Sequence, residues 1–397
     1  MLRPAVCALS AAASAAAAAA RDVPSWLPRD FQEWAAVHEK QYGTEEAWQR
    51  ALSAYRANEA VIKELNADEL DGAEYGHGPF GDLDGVDFKR QTFPGAMDAE
   101  RGRRGPYLVD APLGHGSADD PEAIDWRQQG AVTPVKNQGP CGSCWAESAV
   151  GNIESIWYLA NKGSLHAPVP LSVEQVVECD AHDDSCYGGY PKGAYQYVIE
   201  NGGLSSETDY PYDVAGKTVC LPNQTFNATC GDGMCDDPPL TNYCDRTCSD
   251  KAHRPAAKIH SWTALPKDES AMAAYLVQHG PISIGIDASG GALGILFPWL
   301  QFYKRGIAHP KRCTTTIDHG VLIVGYGEEK NQKYWTIKNS WGAKWGESGY
   351  FRIVRGASLC GMDTMAAVGL ATLRVRVNTR GTARATFQTG LYERLIS

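Results

Sequence analysis

The chain has 397 residues, 43% of them hydrophobic and 21% charged, a globular composition that excludes collagen-like, coiled-coil and wholly disordered chains. Its 37 basic against 47 acidic residues give a net charge of -10, which disfavours general binding to nucleic-acid backbones. No run of eighteen apolar residues follows the first twenty positions, so no membrane span is expected, and the length suits two or three domain-sized units.

Residues 1–20 place Arg3 before an apolar, alanine-rich stretch from Ala5 to Ala20. This pattern reads as a secretory signal peptide, with a low-complexity alanine helix or a transit peptide as alternatives. Twelve cysteines, clustered after Cys141, agree with an oxidising compartment. Residues 21–118 read as a separate unit. Asp30 is placed to cap a helix with Phe31, Trp34, Ala35, His38 and Tyr42 at helical spacing, ended by Gly43. Thr44 then starts a second helix, with Glu45 and Glu46 in its first turn and Trp48, Leu52, Tyr55, Ile62 and Leu65 as its stripe. From Gly72 to Gly116 the chain turns rich in Gly, Pro, Asp and Arg and reads as an exposed, protease-accessible linker.

The body spans 119–373. Cys144 opens a helical pattern through Trp145, Ala149, Ile153, Ile156 and Leu159, and Ser172 is placed to cap a short helix over Leu171 to Val177. The second half holds short strands at Pro281 to Ile286, Gly320 to Tyr326, Tyr334 to Ile337 and Tyr350 to Val354. Helices first and strands later predict an α+β protein. Between the halves, 221–254 is cysteine-rich and lacks apolar periodicity, and 374–397 is a basic tail expected to be disordered.

Chemistry concentrates in Gln138-Gly139-Pro140-Cys141-Gly142-Ser143-Cys144-Trp145-Ala146. A cysteine at a helix start meets unpaired N–H groups and the positive end of the helix dipole, both of which favour thiolate. Ile317-Asp318-His319-Gly320 and Asn339-Ser340-Trp341-Gly342 follow in the order a thiolate, an imidazole and an orienting amide require. Any one of these residues alone reads as structural; the ordered set does not. The sequence resembles the papain-like cysteine peptidases, most of all the cathepsin L-type branch, over roughly residues 26 to 370.

That resemblance implies a two-domain fold, with a helical half and an antiparallel β-barrel half flanking an active-site cleft, preceded by a helical inhibitory pro-segment. It makes Cys144 the nucleophile, His319 the base and acid, Asn339 its orienting partner, Trp341 the cover of that bond and Gln138 an oxyanion donor. It assigns Gly188 and Gly189 to the strip that pairs with extended substrate. Tyr190, Pro191, Gly285, Ile317, Gly320 and Met365 fall to the second subsite on the acyl side. It implies disulfides Cys141–Cys186, Cys179–Cys220 and Cys313–Cys360, leaving Cys230, Cys235, Cys244 and Cys248 for two more bridges, and no metal or cofactor. His319 and Asn339 lie 175 and 195 residues after Cys144, beyond the usual ~130–150, so the cysteine-rich segment looks inserted.

Tyr55, Asn58, Ile62 and Asn66 keep the spacing of the second half of the family's ERFNIN helix motif, and Glu46 and Arg50 lie two residues out of register with its first half. Gly76, Phe80 and Asp82 fit G-x-N-x-F-x-D, with Gly78 replacing asparagine. A zymogen is expected, with acid protonating carboxylates such as Asp82 to release it. Glu147 replaces the aromatic residue that usually follows C-W-A, and Asn223 and Asn227 stand in glycosylation sequons. Partners implied are polypeptide substrates, the chain's own pro-segment and cystatin-like inhibitors, for a monomer routed through the secretory pathway to a lysosome, a vacuole or the outside. The expected activity is that of an acid endopeptidase. The alternatives are a cathepsin B-like carboxydipeptidase using the insertion as an occluding loop, and a non-catalytic binding homologue.

Overall fold

A computed structural model describes residues 23–92, 121–213, 248, 255–290 and 298–371. The signal segment, residues 93–120, Asn223, Asn227, Cys220, Cys230, Cys235, Cys244 and the basic tail lie outside the described residues. No helix among the described residues is long and apolar enough to cross a membrane.

The amino-terminal unit begins with two helices, α1 (Arg29–Val37) and α2 (Glu45–Asn66). Phe31, Trp34, Trp48 and Tyr55 pack into a small aromatic core of its own. Asp30 does not cap α1, whose N-cap position is Pro28. Its carboxylate instead takes two bonds from the Arg56 guanidinium at 2.7 and 2.9 Å, tying α1 to α2. α1 also stops before His38 and Tyr42, short of the expected Gly43. Thr44 caps α2 as its position predicts, accepting from Ala47 N–H at 3.2 Å.

Two asparagines explain the motif spacing along α2. Asn58, 4% exposed, donates to the Gly81 and Leu83 carbonyls, and Asn66 holds both the N–H and the carbonyl of Tyr75 at 2.9 Å. They fasten the chain that follows.

That chain is not a linker from Gly72 onward. Residues of β1 (Gly72–Tyr75) add antiparallel to β5 (Tyr303–Ala308) of the body, with Gly72 opposite Ile307, and α3 (Gly85–Thr92) follows. Asp84 nucleates α3 by accepting from Val86 and Asp87 N–H at 2.9 and 2.8 Å. Leu65, Tyr75 and Phe88 enter the apolar core of the β half, so the amino-terminal unit is folded onto the body.

In the body, β2 (Ile124–Asp125) precedes the central helix α4 (Cys144–Ala160), and α5 (Val173–Cys179) and α6 (Pro191–Glu200) pack beside it. Ser172 caps α5, accepting from Gln175 N–H at 2.9 Å. Then come β3 (Ile259–Ala264), α7 (Glu269–His279), β4 (Ile282–Ile286), the short α8 (Trp299–Phe302), β5, β6 (His319–Glu329), β7 (Gln332–Lys338), β8 (Tyr350–Val354) and β9 (Ala366–Ala371). The strands form one sheet in the order β1-β5-β8-β7-β6-β4-β9-β3, with β2 on β6. Its pairs are antiparallel except β5 with β8, which run parallel.

Helix α4 lies between the two cores, buried on nearly every side. Most of its polar residues are therefore matched. Asn152 donates to the Pro281 carbonyl at 2.8 Å and accepts from Gly369 N–H at 2.9 Å, and Ser148 donates to the Val321 carbonyl at 2.6 Å. Glu154 meets Lys136 at 3.1 Å, takes Leu171 N–H at 2.8 Å and accepts from the Thr133 hydroxyl. Burial alone would raise Glu154, but the Lys136 and Lys338 ammoniums and the Thr133 bond outweigh it and hold its carboxyl below the usual value. Glu154→Ala is expected to cost about 3–5 kcal/mol by leaving buried cationic charge short of its partner, a loss that denaturant unfolding reads.

Cys141–Cys186 and Cys313–Cys360 are bonded. The third bridge corrects the expected pairing. Cys179 bonds Cys248, not Cys220. Cysteine spacing does not fix connectivity, and Cys248 of the insertion is brought to the end of α5, with its Cα 4.8 Å from that of Cys179. Cys248 is thereby removed from the set available for bridges within the insertion.

Candidate active site

Three elements converge between the two halves. The N-terminus of α4 carries Cys144, the first residue of β6 is His319, and Asn339 follows β7, which pairs with β6. Gly320 sets the approach of β6 to α4. A Cβ there would lie 2.8 Å from the Cys144 carbonyl oxygen and 3.1 Å from the Trp145 Cα, so a side chain would push His319 away from the thiol.

His319 Nε2 and Asn339 Oδ1 are 2.8 Å apart. Trp341 stacks on the imidazole, ring centroids 4.8 Å apart and planes inclined by 21°, and so shields that bond from water. Gln138, fully buried, accepts from Ser340 Oγ at 2.6 Å through Oε1, which leaves Nε2 as a fixed donor toward the cleft. Chemically, such an arrangement can offer a nucleophile, an acid and base, an orienting amide and a preset donor for a developing oxyanion.

The predicted subsite residues also come together. Tyr190, Ile317 and Met365 form an apolar cluster with Cys144, each at most 8% exposed. A Cβ on Gly285 would strike Met365 Cε and Ile317 Cγ2, so only glycine lets these two side chains pack against β4 there. Gly320 forms its edge against Cys144. Gly188 adopts φ 112°, and Gly189 packs so closely on Trp145 and Asp183 that a Cβ would fall 2.7 and 2.6 Å from them. Pro191 occupies the first position of α6, where its missing N–H costs nothing.

An inhibitory pro-segment was expected, but the helix by which it covers the centre falls in the stretch read as a linker. Helix α3 lies across the centre, with Phe88 edge-on to Trp341 at 5.4 Å beside Phe80 at 5.3 Å. The Thr92 carbonyl accepts from Gln138 Nε2 at 2.9 Å, filling the donor that an oxyanion would use. A backbone carbonyl leaves no side-chain signal in a sequence. Lys89 reaches Asp318 at 3.9 Å and Ser289 Oγ at 3.4 Å. Asp318, which burial raises to about 6, accepts from Ala288 N–H. Under this cover, burial pushes the Cys144 thiol up to about 12 and His319 down to about 4, with the Asn339 bond working against the latter. Burial thus works against the charged pair while α3 is docked.

Residues 120–370 match the family described as "Papain family cysteine protease". The chain belongs to the papain family of cysteine proteases. Among its relatives, cathepsin F of Mus musculus is 36% identical over 86% of this chain and 66% of that protein. Cathepsin F of Drosophila melanogaster is 37% identical over 80% of this chain. The chain spans only 46% of the length of the Drosophila protein. A solved digestive procathepsin L 3 from the larval midgut of Tenebrio molitor matches at a TM-score of 0.67 and 28% identity, over 86% of this chain and 98% of that one. That neighbour is a procathepsin, and in this papain-family chain α1 through α3 are the unit that lies over the candidate site.

Proposed function

We propose that this chain is a cysteine endopeptidase, latent as the zymogen and active after removal of its pro-segment. The observation that carries the reading is the His319–Asn339 bond under Trp341, at the helix end that presents Cys144. Once α3 leaves, water and substrate enter, and the proton moves from the Cys144 thiol to His319 Nδ1. The thiolate attacks the scissile carbonyl carbon, and the oxygen takes its charge toward Gln138 Nε2 and the Cys144 N–H. The tetrahedral centre collapses as His319 gives its proton to the leaving amine, and a thioester to Cys144 remains. Neutral His319 then takes a proton from water, whose oxygen releases the acid product and the thiol. Asn339 Oδ1 holds the ring through both transfers.

Tyr190, Ile317 and Met365 support a preference for Leu, Phe or Val second from the scissile bond on the acyl side. An arginine there would lose hydration with no countercharge. The disulfides support passage through the secretory pathway to a lysosome, a vacuole or the outside. The test is a cleavage profile of acid-processed protein on peptides blocked at both ends. Internal cleavage is expected, with kcat/KM for Leu in that position about tenfold or more above Arg. An Arg preference would contradict the pocket, and cleavage confined to free carboxyl termini would make the enzyme a carboxydipeptidase.

A further inference from the structure

Two buried polar atoms behind the catalytic residues lack a partner among the described residues: Glu147 Oε1 and Asn339 Nδ2. Their residues line one cavity of about 20 Å³, set between the first turns of α4, the start of β6 and the end of β7. Lys136, Ser148, Glu154, Lys338 and Ser340 supply the rest of its polar side chains. Space of this size holds one water when several polar groups face it.

Asn339 is constrained on one side only. Its Oδ1 meets His319 Nε2 at 2.8 Å and accepts from Ser340 N–H at 2.8 Å, so its amino group must find an acceptor on the cavity side. A carboxamide has nearly the same shape when flipped, and its partners decide which way it faces. An ionised carboxylate accepts only, so across a bridging water it favours an amide that presents its N–H.

We propose that Glu147 is a positioning residue for catalysis: through one buried water in this cavity its carboxylate accepts from the Asn339 amide and locks Oδ1 toward His319. The inference rests on the peptidase reading of the same site. Lys136 before α4, Glu154 on α4, Lys338 on β7, and Glu207 and Tyr212 after α6 are the titratable groups facing Glu147. Burial raises its carboxyl to about 7, with Lys136 and Lys338 opposing and Glu154 and Glu207 adding to the rise. Glu147 therefore changes charge near neutrality, where an ordinary glutamate does not. Its negative charge polarises the Asn339 amide and favours the protonated imidazole at Oδ1. The thiolate–imidazolium pair then persists to higher pH than it would beside a neutral residue.

The experiment uses the acid-processed enzyme and its E147Q, E147F and E147D variants. Two profiles are recorded against pH: kcat and KM for a blocked dipeptide reporter, and the rate of thiol alkylation by iodoacetamide. E147Q and E147F are expected to move the alkaline limb of both profiles to lower pH by about half a unit or more, with the loss carried by kcat rather than KM. E147D restores a carboxylate and should return the limb toward wild type. E147F places a large uncharged side chain there and E147Q a near-isosteric one, so agreement between the two ties the shift to charge rather than to shape. An active wild type whose profiles overlay those of E147Q overturns the role of Glu147 alone. A wild type that neither hydrolyses nor alkylates overturns the peptidase reading beneath it.

Discussion

Cys144→Ala should abolish peptide hydrolysis by the processed enzyme, a fall of at least about 10⁴-fold in kcat, because no other group can form the thioester. The fold should be indifferent to it. Cys144 is a free thiol at a helix start, and removing one sulfur leaves the Cys141–Cys186 bridge, the His319–Asn339 bond and the packing of α4 in place. The unfolding midpoint of the variant should match wild type while turnover of a blocked dipeptide reporter disappears. Cys141→Ala is the informative contrast, since it breaks a bridge and is expected to lower the midpoint. Residual turnover by Cys144→Ala at more than background would place the nucleophile elsewhere and remove the basis for every role given to His319 and Gln138.

The candidate catalytic residues were legible in the sequence because each needs a particular chemistry at a particular turn. Cys144 needs the helix start that Ser143 and Trp145 frame, and Gly320 has to be glycine where β6 meets α4. The order of Gln138, Cys144, His319 and Asn339 also carries information that no single residue does. What failed to show was structure supplied by partners distant in sequence. Strand β1 is four residues long and exists because the edge of β5 receives it, so no alternation announces it. Helix α3 spans eight residues, with Phe88 and Thr92 as its buried positions, too little for a periodic signal. Asp30 had the right position for a cap, but Arg56, 26 residues on, offered its carboxylate a two-point bond instead. The Cys179 partner depended on the path of an insertion, and Glu147 depended on a cavity shared with Asn339. Both are tertiary facts.

Acid should release the pro-segment through its histidines, and replacing them should make the zymogen resist acid. The carboxylate of Asp82 does bind inside this unit, to Lys40 and to the Tyr42 hydroxyl. The structure adds two imidazoles. His77 stacks on Tyr55 with ring centroids 3.6 Å apart, and neither of its nitrogens has a hydrogen-bond partner among the described residues; His38 lies against Trp34 at 5.4 Å. Burial lowers both from 6.5 to about 4. Lys304, Lys40 and Lys344 reinforce the fall at His38 against Asp82, and Arg56 and Lys304 do so at His77 against Glu59 and Asp30. The sign follows directly. A pro-segment that unfolds on release binds these protons near pH 6.5 and the docked, folded one only near pH 4, so docking weakens as pH drops through that window. Both rings are partly exposed, which makes the effect smaller than the full displacement of their titration. In full-length protein the double variant H38F/H77F keeps an aromatic ring against Trp34 and Tyr55 but removes both proton sites. Its pH of half-maximal processing, followed by the appearance of reporter hydrolysis, should fall by about half a unit to one unit relative to wild type. An unchanged midpoint would overturn the role given to these two histidines in the acid response.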